Sequence, residues 1–119
     1  MCKFIGVEIL AANALIDILE AGKGRSVTLD ELKNYGIEIV DILEKNFKER
    51  AVISYDRDRM INLVIDYGDC FELDGNTLKV KSNVSSEQLR DRFRGPLSYE
   101  ILSAIITNRK NLLSNLIIR

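Results

Sequence analysis

Apolar residues recur along this chain mostly at helical spacing, and the pattern divides it into about five helices and one hairpin. The segment 4–21 is apolar nearly throughout. Its polar positions Gly6, Asn13, Asp17 and Glu20 fall in one narrow stripe, which predicts a central helix packed on most sides. Glu8 stands opposite that stripe. It reads either as a solvated first-turn carboxylate favoured by the helix dipole, or as a buried, arginine-paired or catalytic group. Gly22 follows as a left-handed cap, and Gly22-Lys23-Gly24-Arg25-Ser26 reads as a flexible hydrophilic turn, because the spacing of a phosphate loop is absent.

Thr28-Leu29-Asp30-Glu31 is a capping box opening a helix whose Leu32, Ile39, Leu43 and Phe47 share a side. Gly36 leaves two outcomes open for residues 28–48: one long helix, or two broken near Tyr35. Ala51–Tyr55 is β-branched enough for a short strand, Asp56 can cap a helix over Arg57–Tyr67, and Gly68 stops it. Cys70–Leu73 and Leu78–Lys81 flank Asp74-Gly75-Asn76-Thr77, a strong hairpin signal. Ser85-Ser86-Glu87-Gln88 caps a helix running to Arg94. Gly95-Pro96 ends it, and Pro96 suits the first position of a last helix bearing Leu97, Ile101, Leu102, Ile105 and Ile106.

The polar belt Thr107–Asn111 interrupts that apolar face before Leu112, Leu113, Leu116, Ile117 and Ile118. The helix therefore turns at the belt, or residues 107–119 project and dock elsewhere. The fold expected is a mainly helical α+β domain over residues 1–119, with Ala51–Tyr55 as the candidate third strand beside the hairpin.

Charge sharpens this picture. Residues 1–82 carry 11 basic and 15 acidic side chains, a net of −4, whereas residues 83–119 carry 6 and 3, a net of +3. A basic C-terminal third on an acidic body predicts that the two meet, within or between chains, or that the tail meets an anionic partner.

Candidate chemistry is sparse. The absence of histidine removes the commonest general base and most zinc and iron sites, so no enzyme and no cofactor is expected. Asp56-Arg57-Asp58 is read as a cap rather than a cation site, and Cys2 and Cys70 as reduced structural thiols of a cytoplasmic protein. Residues 1–21 hold one basic residue and a broken apolar run, so neither a secretory signal nor a membrane span is expected. A small apolar pocket among the first helix, Met60 and Tyr67 is compatible with the pattern.

Two functional readings follow. The leading one is a protein-interaction or assembly module forming a homodimer, with Leu112, Leu113, Leu116, Ile117 and Ile118 at the interface; docking of the same segment onto the first helix of its own chain stands as an equal alternative. The alternative is a nucleic-acid-binding or regulatory protein with a winged-helix-like layout, using Arg90, Arg94, Arg109 and Lys110. Against it, a reading helix starting at Ile37 would present Glu38, Asp41 and Glu44 to phosphates.

Overall fold

The computed structural model describes residues 2–95 and 97–116. It is a mainly helical α+β fold with two small sheets, one of two strands and one of three.

The chain opens with strand β1, Cys2–Gly6, and only then enters helix α1, Val7–Glu20. The helix expected from residue 4 therefore starts three residues later. A short apolar run fits strand and helix equally well by periodicity. Here Phe4 and Ile5 become extended because a parallel partner exists: β3, Arg50–Ser54, places Val52 beside Phe4 and Ile53 beside Ile5. Helix α1 is the central element, buried continuously from Leu10 to Ile18.

Strand β2, Ser26–Thr28, precedes helix α2, Leu29–Phe47. The Thr28 capping box is complete: the Thr28 hydroxyl accepts from the Glu31 N–H at 3.1 Å, and the Glu31 carboxylate accepts from the Thr28 N–H at 3.0 Å. The helix is unbroken at Gly36, so there is no turn to launch a reading helix at Ile37. Gly36 has a packing reason instead. A Cβ there would lie 2.1 Å from the Tyr55 hydroxyl oxygen and 2.8 Å from Ile53 Cδ1.

Gly36→Ala should thus set a helix-propensity gain of about 1 kcal/mol against an overpacking penalty of about 1–3 kcal/mol. Chemical denaturation should show a net loss. The loss should shrink in a Tyr55→Phe background, where the nearest atom is gone.

Asp56 caps helix α3, Arg57–Asp66, by accepting from the Asp58 N–H at 2.9 Å. Strands β4, Phe71–Asp74, and β5, Thr77–Val80, form the expected hairpin, with Gly75 at φ +61° in its turn. The third strand of this sheet is β2, giving the order β2–β5–β4; the Ala51–Tyr55 region pairs with β1 instead. Val27 pairs opposite the buried Leu78, and this non-local contact makes a strand of three residues that local propensity would leave in a loop. The turn before it is pinned: the Arg25 guanidinium donates to the carbonyls of Val80, Lys81 and Val84.

Helix α4, Ser86–Phe93, has its own complete capping box from Ser85 and Gln88. Pro96 lies outside the described residues. Helix α5, Tyr99–Thr107, is capped by Ser98, whose hydroxyl accepts from the Ile101 N–H. The chain turns at Asn108 into α6, Arg109–Leu116. Of the two outcomes for the polar belt, the turn is the one seen. Among the described residues no helix is long and apolar enough to cross a membrane.

Candidate interaction surfaces

The basic C-terminal third meets the acidic body inside this chain. The polar stripe of α1 points not to water but to arginines of α4 and α6 and to Arg94, the C-cap of α4. Asp17, only 1% exposed, receives the Arg94 Nη2 at 2.6 Å and the Arg109 Nε at 3.2 Å. Glu20, one turn on, pairs with Arg90 and with Arg109. Asn13 Oδ1 accepts from Arg94 Nε at 3.3 Å, and its amide donates to the carbonyls of Ile9 and Phe93. Burial pushes the Asp17 carboxyl above its ordinary range although Arg94 and Arg109 pull it down. Hydrogen bonds from Arg90 and Arg109 hold Glu20 below its ordinary value, against a smaller desolvation penalty. Burial likewise raises the phenol of Tyr35, which lies in the core near Asp17 with no hydrogen-bond partner for its hydroxyl among the described residues.

This hub decides where the sequence-derived site residues stand. Arg90, Arg94 and Arg109, expected as phosphate contacts, each hold a carboxylate of α1; Lys110 is exposed. The charge asymmetry that suggested an anionic partner has a partner in the same chain. Leu112 and Leu116, expected either at an interface between chains or docked on the first helix, are buried in this chain's own core, where α6 packs against α2 and α1; Leu113 is half-buried against it. Ile117 and Ile118 lie outside the described residues.

Protein-family models, curated proteins and solved structures yield no match to this chain.

Two features of the protein's surface stand out, the second of them close to the pocket expected among the first helix, Met60 and Tyr67, although Met60 itself is buried beneath the surface and does not line it. The first is the outer side of α5. Ile101, Ala104 and Ile105 face the core, yet Tyr99 is 77% exposed and Ile106 55% exposed. With Leu102, Ser103 and Thr107 they line one shallow depression. The positions run i, i+3, i+4, i+7, i+8, the spacing of one continuous helix stripe, and none of the five is charged. The signal was present in the sequence, since α5 is apolar on both sides, but its two faces cannot be ranked without knowing which one meets the core.

The second feature is a cleft of about 330 Å³ between α1, α3 and α4. Its apolar lining includes Ile9, Leu63, Tyr67, Phe93 and Leu97. The Tyr67 and Phe93 rings meet edge-to-face with centroids 5.0 Å apart, and Phe93 leans on Phe71 at 5.7 Å, so this wall is braced from behind. At the rim, Arg59 pairs with Glu8 at 3.2 Å and lies 4.9 Å above the Phe4 ring. Glu8 is thus the arginine-paired carboxylate of the sequence alternatives; its carboxylate folds back over Gly6, where a Cβ would collide with it. Arg92 sits over Tyr67 and pairs with Asp69 at 3.2 Å.

Chemistry at the remaining titratable groups is limited. Cys70 is buried, and burial raises its thiol, which disfavours the reactive thiolate. Among the described residues, no group of three or more His, Cys, Asp or Glu side chains is arranged to hold a metal ion.

Proposed function

We propose that this protein is an interaction module that associates with a second copy of itself through the outer face of α5. The observation that carries this reading is the uncharged Tyr99–Leu102–Ser103–Ile106–Thr107 stripe, left open while the opposite face of the same helix is in the core. A contiguous apolar patch of this kind marks interaction sites on soluble proteins.

A second copy is the occupant this face suits best. A two-fold axis across α5 would set Tyr99 of one copy near Ile106 of the other, with the small Ser103 near the axis allowing close approach. An uncharged stripe meets its own image without like-charge repulsion. Three large side chains per copy make six in the pair. Full burial of an apolar side chain is worth about 1.5–3 kcal/mol; because these are already partly covered, roughly half of that total, about 5–9 kcal/mol, is available. Association costs about 4–15 kcal/mol, so the contact supports a weak, concentration-dependent dimer.

Light scattering across a concentration series tests this. The mass should rise from 13.5 kDa towards twice that value, and Ile106→Glu should hold the protein at the monomer mass with its circular dichroism and melting temperature unchanged. A wild-type protein monomeric up to about 1 mM, or an Ile106→Glu protein that dimerises equally well, would overturn the proposal.

A further inference from the structure

We infer that the cleft between α1, α3 and α4 binds a small apolar molecule carrying an ammonium group, held by Asp66 at the rim and by the Tyr67–Phe93 wall. This inference does not depend on the association of α5.

The cleft, at about 330 Å³, lies at the small end of the range of ligand sites, about 300–1,000 Å³, and has room for a single ring with a short arm. Its lining is of the kind such sites use: a mainly apolar surface with polar side chains from α1, α3 and α4 set among it. Ile9 leans into it while remaining partly exposed, as the side wall of an unfilled apolar recess would.

Charge selects the ligand. The two guanidinium groups at the rim already face carboxylates, Arg59 the Glu8 side chain and Arg92 that of Asp69. An anionic ligand would have to compete with both. Asp66 is different: it lines the cleft one turn after Asn62 and forms no ion pair among the described residues. Counting Glu8, Asp66 and Asp69 against Arg59 and Arg92 leaves the cleft and its immediate partners at −1. A monocation neutralises that balance, and an ammonium group can donate to the Asp66 carboxylate and to the Asn62 side-chain carbonyl together. The apolar body then covers Leu63, Phe93 and Leu97.

The probes are 2-phenylethylamine and 3-phenylpropanoate, similar in shape and opposite in charge, titrated into the full chain and followed by amide NMR. The amine should give saturable shifts clustered at Leu63, Asp66, Tyr67, Phe93 and Leu97. Asp66→Asn should weaken it about threefold to tenfold. Asp58→Asn, on the same helix but outside the cleft, should leave affinity unchanged. No saturable shift with the amine to about 10 mM, tighter binding of the carboxylate, or undiminished amine binding by Asp66→Asn would each overturn the inference.

Discussion

Asp17→Ala should be the most damaging single substitution at the polar hub, lowering stability by about 3–5 kcal/mol, the usual cost of removing one partner from a buried ion pair. Arg94 is only 11% exposed at its side chain and would be left charged with Asn13 Oδ1 as its remaining side-chain acceptor; Arg109 would keep Glu20 alone. Urea denaturation should show the loss as a shifted midpoint with little change in slope. Asp17→Asn should cost less, because its amide oxygen can still accept from Arg94.

The pH dependence separates Asp17 from its neighbour. The Asp17 carboxyl is raised, chiefly by burial, so its contribution to stability is fully present below the unfolded-state value and declines as pH rises through the folded-state value. Glu20 is lowered, chiefly by its hydrogen bond with Arg90, so its contribution is present above the unfolded-state value and is lost as pH falls. The stability difference between wild type and Asp17→Asn should therefore shrink as pH climbs above about 4, whereas that between wild type and Glu20→Gln should shrink as pH drops below about 4. Equal slopes for the two pairs would contradict this account.

Leu112→Ala should cost about 2–5 kcal/mol, the range for truncating a fully buried leucine without collapse of the cavity. For a domain of this size each kcal/mol lowers the melting temperature by about 4 °C. The loss should be the same at every protein concentration, because Leu112 packs inside its own chain. A loss that vanished on dilution would return Leu112 to an interface between copies. The contrast with Ile106→Glu is the useful one: an exposed residue eight positions after Ser98 should alter mass without stability, a buried one on α6 stability without mass.

These expectations rest on features of unequal legibility. The helix starts at Thr28, Asp56 and Ser85 were readable because a cap is chemistry among residues three positions apart or fewer, complete before any tertiary contact forms. The hairpin was readable for the same reason: Gly75 accepts a positive φ within its own turn. β1 was not, since the short segment Cys2–Gly6 becomes a strand only when Arg50–Ser54 lies alongside. The destination of Asp17 was half legible. Charge arithmetic left the basic third either to meet the acidic body, within or between chains, or to meet an anionic partner; it did not say that the meeting would occur in cis and bury the carboxylate.

By itself, then, the amino-acid order determined the caps, the hairpin, the central place of the first helix and the opposition of charge between the two parts of the chain. Each follows from local hydrogen bonding, periodicity or composition. Tertiary structure alone decided which side of α5 is covered, that α6 folds back onto α1 and α2, and that Glu8, Asp66, Tyr67 and Phe93 line one cleft. Those outcomes depend on contacts between elements far apart in the chain, and an apolar residue is equally apolar whether its partner lies in the same molecule or the next.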